Sequence, residues 1–120
     1  MQITIDGRTA YAYTGGKPFD PALPAVAFVH GAQNDHSVWI LQSRYFAHHG
    51  FAVLAWDLPG HGRSAGPALD TVEAMADWVL RASLAAGAKR VAIVGHSMGS
   101  LIAVEAAGAQ PAQVSAIALV

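Results

Sequence analysis

The sequence predicts an α/β fold in which a mostly parallel sheet carries helices on both faces and an antiparallel hairpin leads in at the amino terminus. From residue 25 onward, strand-like and helix-like segments alternate, as in parallel sheets with crossover helices. Apart from His30 and Arg90 at their ends, segments 25–30, 51–56 and 90–95 are continuously apolar, which is typical of strands covered on both faces. A glycine-bearing loop follows each of these strands, so one rim of the sheet is expected to gather three such loops.

The amino-terminal hairpin is predicted from two short alternating segments. Residues 2–5 and 9–13 are rich in β-branched and aromatic side chains, and Asp6-Gly7 between them is a strong hairpin-turn signal. The two strands are therefore expected to pair antiparallel and to precede the parallel part of the sheet.

A first helix is predicted over residues 37–49, between a start signal at Asp35 and Ser37 and a stop at Gly50. Its expected apolar face consists of Val38, Leu41, Tyr45 and Phe46.

A second helix is predicted over residues 71–86, with Gly87 as its carboxyl-terminal cap. Its apolar residues follow the helical period and are Val72, Met75, Ala76, Val79, Leu80 and Leu84. A third helix over 97–109 and a strand over 114–120 complete the chain, and this last strand is expected at an open edge of the sheet. The three tryptophans fall in predicted elements, where core packing explains them; they are Trp39, Trp56 and Trp78.

Composition limits the classes of function. The chain has 120 residues, 53% hydrophobic and 12% charged, which suits one domain over 1–120 with a single core. A net charge of −1 without basic runs argues against nucleic-acid or membrane-surface partners. The absence of cysteine excludes a disulfide framework and a cysteine nucleophile. No apolar run reaches the roughly 18 residues of a membrane span, so a cytoplasmic protein is expected. No cofactor or metal is expected, because neither Gly60-His61-Gly62 nor residues 95–100 complete a nucleotide-binding motif and the histidines lack the spacing of a metal site.

The segment Gly95-His96-Ser97-Met98-Gly99 separates a predicted buried strand from a predicted helix. In this setting a tight turn can lift a serine hydroxyl above the sheet as a nucleophile, and Gly95 and Gly99 leave room for that turn. A serine that opens a helix can alternatively be a simple N-cap. The strand-turn-helix context favours Ser97 as the nucleophile.

The loop after strand 25–30 is the candidate partner of this turn. An oxyanion hole needs two converging N–H donors, one after the nucleophile and one from the loop beside it. The backbone amides of Met98 and Ala32 are the candidates, and Gly31, Gln33 and His96 are expected near the substrate.

The loop at residues 57–64 contains two glycines, a proline and an aspartate, which is the composition of an ordinary turn. We expect Asp57 to brace it.

Three motifs, FVHGAQNDHSVW, DLPGHGRSAGP and VGHSMGS, resemble in order and spacing the α/β-hydrolase superfamily, near its esterase, lipase and perhydrolase-like members. The resemblance spans essentially the whole chain and implies a serine hydrolase that cleaves an ester or related small acyl substrate through an acyl-enzyme. It leaves the substrate open, along with hydrolysis, acyl transfer, perhydrolysis and C–C bond cleavage as reaction types.

The resemblance also implies an acid and a histidine that follow the serine along the chain. After Ser97 the sequence contains Glu105 and no histidine, and Glu105 lies about two turns along the helix that starts at Ser97, facing away. The chain is therefore expected to be the amino-terminal part of a longer hydrolase domain. The triad acid and histidine, the later strands and a lid are expected to be absent from it, so residues 1–120 alone should be inactive.

Alternatives remain for the histidines and for the function. His30 or His61, in rim loops, could approach the serine as a substitute base, whereas His48 and His49 are expected to be solvated or capping at a helix end. A zinc site built from histidines at positions 30, 36, 61 and 96 lacks a recognisable motif spacing. The second functional hypothesis is a non-catalytic module of the same fold that binds a partner.

Overall fold

The computed structural model describes all 120 residues and contains a single six-stranded mixed sheet. The strands are β1 (Gln2–Ile5), β2 (Arg8–Tyr13), β3 (Ala25–Val29), β4 (Ala52–Trp56), β5 (Val91–Gly95) and β6 (Val114–Leu119). A 3-10 turn at His36–Trp39 leads into helix α1, and the helices are α1 (Ile40–Ala47), α2 (Val72–Ala86) and α3 (Met98–Ala109). The strand order is β1-β2-β4-β3-β5-β6, and the predicted element order and fold class are confirmed.

The sheet changes direction after the hairpin. The β1–β2 and β2–β4 pairs are antiparallel, whereas β4–β3, β3–β5 and β5–β6 are parallel. The hairpin turns at Asp6-Gly7, where both residues have positive φ, as two-residue turns of this kind require. Strand β3 therefore lies at the centre, with the exits of β4 and β5 on either side.

Both faces of the sheet are covered, and successive residues of β3 show this directly. Ala27 and Val29 belong to a cluster of 21 buried residues that includes side chains of α2 and α3. Val26 and Phe28 belong to a second cluster of six buried residues that includes Trp39 and Ala47. Because neighbouring side chains of a strand point to opposite faces, the continuous apolar character of β3 follows from this two-sided burial. All three tryptophans are buried, as predicted.

The predicted buried face of the first helix is wrong for three of its four residues. Val38, Leu41 and Tyr45 are exposed, Leu41 by 76% of its surface, whereas Phe46 packs against the smaller core cluster. The helix instead turns Ser43 and Ala47 inward. These small side chains allow a close approach: a Cβ added to Gly15 would lie 2.5 Å from Ala47 Cβ.

Helix α2 matches its prediction at both ends. The Thr71 side chain accepts a hydrogen bond from the Ala74 N–H at 3.0 Å, and Gly87 closes the helix with a φ of 112°. One predicted core residue is wrong, because Leu84 is 52% exposed, while Trp78 and Ala82 of the same helix are buried. No helix of the structure has both the length and the apolarity that crossing a bilayer would require.

Candidate active site

Ser97 lies between the end of β5 and the first residue of α3, in the turn that the sequence predicts. Its backbone has φ 56° and ψ −121°, a combination that is costly for any residue with a side chain. The turn has no room for other residues at Gly95 and Gly99. A Cβ at Gly95 would overlap the Gly99 carbonyl, and one at Gly99 would overlap the Val29 carbonyl.

The Ser97 hydroxyl does not cap the helix. Its Oγ makes no capping hydrogen bond, and its side chain is exposed at the rim. Its backbone also lacks the extended conformation of ordinary N-caps, which Thr71 adopts at the start of α2 with φ −129° and ψ 152°. The N-cap interpretation of Ser97 therefore fails. It does not account for a hydroxyl that lies on a strained turn and makes no capping hydrogen bond.

The loop after β3 faces this hydroxyl. A Cβ added to Gly31 would lie 3.2 Å from Ser97 Cβ, so the two residues stand against each other. The next residue, Ala32, is exposed, and its N–H donates no hydrogen bond within the chain. Met98 is the first residue of α3, so its N–H has no acceptor inside the helix. The two amides named from the sequence are thus available to a ligand, beside Ser97.

Gln33 and His96 flank the same rim. Gln33 has a φ of 63° and an exposed side chain. The Gly31 carbonyl accepts from the Asn34 N–H at 3.3 Å, so residues 31–34 form a turn whose third residue is left-handed, as in type II turns. The ring of His96 stands edge-on to Trp39, with centroids 6.3 Å apart. A shallow cavity of about 160 Å³ borders that pair.

No histidine of the chain hydrogen-bonds to Ser97, and His30 is excluded as a base. It is fully buried, its Nδ1 lies 2.7 Å from the Gly31 carbonyl, and its Nε2 accepts the Leu58 N–H at 3.1 Å. Burial lowers the pKa of His30. His61 is held by Nδ1 at 3.0 Å from the Pro59 carbonyl, with its ring 5.1 Å from that of His30.

The remaining histidines have local partners. His48 and His49 bond through Nδ1 to the carbonyls of Arg44 and Tyr45, at 2.8 and 2.6 Å, and both are exposed, which agrees with the expectation that they are solvated or capping.

Asp57 braces its loop as expected and also holds the loop after β3. Its carboxylate is fully buried. Oδ2 accepts the Arg63 N–H at 2.9 Å. Oδ1 accepts the His36 N–H at 2.7 Å and lies 2.9 Å from His36 Nδ1. The link to His36 was not predicted, because the two residues lie 21 positions apart in the chain and in different loops.

One group of side chains has the composition of a metal site. Ligand atoms of Asp35, His36 and Asp57 lie within 4.8 Å of one another. Each already has a partner in the protein, since Asp35 accepts the Ser37 N–H at 2.8 Å and the other two bond to each other. The hydrogen bonds from Ser37 lower the pKa of Asp35. These contacts account for the group as an anchor of the loop after β3.

Comparison with known proteins places the chain in a family context. A family model described as the alpha/beta hydrolase fold matches residues 24–120. The dihydrolipoyllysine-residue acetyltransferase component of the acetoin cleaving system of Cupriavidus necator is 37% identical over 119 residues, which cover 97% of this chain and 30% of that protein. The (E)-2-((N-methylformamido)methylene)succinate hydrolase of Acinetobacter baylyi is 33% identical over 98 residues, 81% of this chain and 35% of that protein.

The solved structures give the same result for the fold. A membrane phospholipase A described as a bacterial virulence factor superposes with a TM-score of 0.89 at 30% identity, over 99% of this chain and 38% of that one. The chain thus spans about a third of the length of these relatives.

Proposed function

The chain belongs to the α/β-hydrolase fold family, and on that premise we propose that the protein carrying it is a serine hydrolase that cleaves an ester or related acyl substrate through an acyl-enzyme on Ser97. One observation carries the proposal: an exposed hydroxyl without a capping bond stands on a strained strand-to-helix turn against a loop with a free amide. Backbone strain of this kind persists where the surrounding structure enforces it, and it is concentrated at active sites.

The proposed chemistry begins with attack of Ser97 Oγ on the acyl carbon while a base takes the hydroxyl proton. The acyl oxygen becomes an oxyanion, which would accept hydrogen bonds from the Ala32 and Met98 amides. Collapse of this intermediate breaks the bond to the leaving group, which departs with the proton. Water then attacks the acyl-enzyme, and the acid is released as Ser97 regains its proton.

Helix α3 supports this assignment of the oxyanion site. Its first residue is Met98, so the amino-terminal end of the helix dipole points to the same rim as Ser97. Partial positive charge at a helix amino terminus favours a developing anion. The second donor, Ala32, comes from a loop that is anchored at both ends by buried groups.

The base must reach hydrogen-bond distance of Ser97 Oγ, and within residues 1–120 no histidine does so. We therefore propose that residues 1–120, prepared as a separate polypeptide, turn over little or no ester. Loss of the base in a serine hydrolase costs about 10⁶-fold in turnover. Fast ester hydrolysis by this polypeptide, abolished by Ser97→Ala, would show that one of its own histidines acts as the base.

A second candidate function is a non-catalytic module that binds a partner through the same rim. The observation that favours it is the same missing contact between any histidine of the chain and Ser97. The two candidates differ in one property, since only the enzyme needs the Ser97 hydroxyl.

The experiment measures ester hydrolysis by the intact gene product that contains this chain, with p-nitrophenyl esters of graded acyl length. Ser97→Ala is expected to lower kcat by about 10⁶-fold, whereas Ser115→Ala, at an exposed serine on β6, is expected to leave it unchanged. Equal activity of Ser97→Ala and the wild type would reject the enzyme proposal.

The proposed partner is a small acyl compound, and the proposed location is the cytoplasm. Neither nucleic acid nor a membrane surface suits the net charge of −1 and the interspersed charges. Cell fractionation with detection of the intact protein tests the location.

A further inference from the structure

An open cleft lies at the end of the sheet opposite to Ser97. Its volume is about 620 Å³, and it is lined by the loops that lead into β3 and β5. Ala25 and Val91 begin these two strands and are paired in register, whereas Ser97 comes after the last residue of β5. A parallel strand rises about 3.3 Å per residue, so the cleft and Ser97 lie roughly 20 Å apart along β5. The cleft is therefore separate from the candidate active site.

The backbone around the cleft is held in place by bonds within the chain. In the loop before β3, the Asp20 carboxylate accepts the Ala22 N–H at 2.9 Å, and the Pro24 carbonyl accepts the Ala52 N–H at 2.8 Å. In the loop before β5, Ala88 is buried in the larger core cluster. Clefts that bind small molecules are usually preformed and have volumes of roughly 300–1,000 Å³. This cleft has both properties.

One wall of the cleft is apolar. It consists of Pro21, Leu23 and Pro24, and Leu23 is 38% exposed. A Cβ added to Gly87, at the end of α2, would lie 3.4 Å from Pro21 Cβ, so the two loops are in close contact at this point. The apolar wall can pack against the carbon skeleton of a ligand.

The opposite wall carries two adjacent cations, Lys89 and Arg90. Both side chains are exposed and form no ion pair, in contrast to Arg81, which pairs with Asp6 and Asp77. The backbone N–H groups of Lys89 and Arg90 also donate no hydrogen bond within the chain. None of the nine residues that line the cleft is acidic. The cleft therefore combines two positive charges and two free amides with an apolar wall.

Cations that follow a helix can alternatively complement the negative end of its dipole. Lys89 and Arg90 come shortly after Gly87, which ends α2. The carbonyls of Ser83 and Leu84 in the last turn already accept the N–H groups of Ala88 and Gly87. A role in the helix alone requires neither a cleft nor an apolar wall, and it predicts that removing the charges changes stability and no binding.

We propose that this cleft binds a small organic anion, in which a phosphate or carboxylate group is attached to an apolar body. The anionic group would accept charge-assisted hydrogen bonds from Lys89 and Arg90. The apolar body would pack against Pro21, Leu23 and Pro24. This binding goes beyond the proposed hydrolysis at Ser97 and does not depend on it.

The experiment is a titration of the intact gene product, followed by amide chemical shifts in nuclear magnetic resonance spectra. Phenyl phosphate and benzoate are the probes for the two anionic groups, and benzyl alcohol is their uncharged counterpart. Either anion is expected to shift the amides of residues 87–90 in a saturable way, with a Kd of about 1 mM or tighter for a ligand of this size. The tighter of the two probes identifies the preferred anionic group.

Charge removal tests the role of the two cations. The double variant Lys89→Gln with Arg90→Gln is expected to weaken binding by about 10- to 100-fold, because hydrogen bonds from charged groups are lost. The matched control is Arg8→Gln with Lys17→Gln, which removes the same charge at two exposed positions outside the cleft. This control is expected to keep the Kd within about twofold of the wild type.

A second pair of variants tests the cleft without changing the cations. Leu23→Glu places a negative charge on the apolar wall and is expected to weaken binding of either anion by about tenfold or more. Leu23→Gln, its neutral counterpart, is expected to bind more tightly than Leu23→Glu. This pair gives the answer if the double variant does not fold.

Four results would overturn the proposal. They are no amide shifts at up to about 10 mM probe, shifts confined to residues 31–33 and 96–99, equal shifts with benzyl alcohol, and equal affinity of the wild type and the Lys89 and Arg90 double variant.

Discussion

Single residues decide the chemistry that this rim can perform. Ser97 has a positive φ and a hydroxyl without a capping bond, while Thr71, at the start of another helix, has an extended backbone and caps it. The sequence predicted the turn at Ser97 because two flanking glycines between an apolar strand and a helix form a local pattern. It could not predict the hydrogen bond from the Leu58 N–H to His30 Nε2, because Leu58 lies 28 positions away in the chain.

Replacement of Ser97 by glycine is expected to stabilise the protein while it removes the proposed function. The strain of a side chain at φ 56° costs about 1–3 kcal/mol, and glycine removes it. Glycine also lowers stability by roughly 0.5–1 kcal/mol, because it loses more conformational freedom on folding than other residues. Urea unfolding should therefore show a gain of about 1 kcal/mol for Ser97→Gly. Ser97→Ala is the control, since it removes the hydroxyl and keeps the strain. Equal stability of the two variants would contradict the account.

The free energy of unfolding is expected to depend on pH through His30. Its pKa is lowered in the folded protein, chiefly by burial, so the unfolded chain binds a proton at higher pH than the native state. This contribution to stability is complete above about pH 6.5 and is lost as pH falls through the lowered pKa, by at most about 1.4 kcal/mol per pH unit.

Urea unfolding at a series of pH values below 7 checks this dependence. His30→Asn lacks the titrating ring and is expected to show a shallower decline than the wild type. Parallel pH profiles for the two proteins would mean that His30 is not kept neutral by the fold.

At the scale of elements, the order of the segments followed from local signals, but the length and the buried face of the first helix did not, because the predicted helix 37–49 is a 3-10 turn at His36–Trp39 followed by α1 at Ile40–Ala47. The bounds of α2 agree with the sequence because Thr71 and Gly87 end it on both sides. The face of α1 was assigned from its large apolar side chains, yet Ser43 and Ala47 face the interior. Close packing against Gly15 selects small residues there, and a hydrophobicity pattern does not contain that information.

The strand-to-helix turn between β5 and α3 is expected to have no space for a methyl group at Gly95. In Gly95→Ala the new Cβ would overlap the backbone of Gly99 and Ser100, which should cost about 3 kcal/mol or more, because backbone must move. Gly108→Ala is the matched control in α3, since nothing lies within 4 Å of the added Cβ. It should gain about 0.5–1 kcal/mol from helix propensity. Similar unfolding free energies for the two variants would argue against the described turn.

At the scale of the whole molecule, the parallel strands bring three separate loops to one rim. Strand β3 lies between β4 and β5, so its loop can contact both the turn at Ser97 and the exit of β4. The sequence predicted this convergence from the continuous apolar strands. One edge of the sheet is strand β6, which pairs only with β5 and has five exposed residues out of six.

The β6 edge predicts self-association of residues 1–120 when they are prepared as a separate polypeptide. Ile117 and Leu119 are 40% and 53% exposed, on a strand with one unpaired edge, and such edges favour pairing between molecules. Light scattering coupled to size-exclusion chromatography should show oligomers that Ile117→Lys reduces. A monomeric wild-type polypeptide would contradict this prediction.

The most direct test of the central claim is covalent labelling of the intact gene product with a fluorophosphonate, followed by peptide mass spectrometry. The account predicts one phosphonyl adduct on the peptide that contains Ser97, because the probe requires a nucleophilic serine beside an oxyanion site. The adduct should disappear in Ser97→Ala and persist in Ser115→Ala. A protein that stays unlabelled, or that is labelled at another serine while Ser97 remains free, would contradict the assignment of Ser97 as the nucleophile.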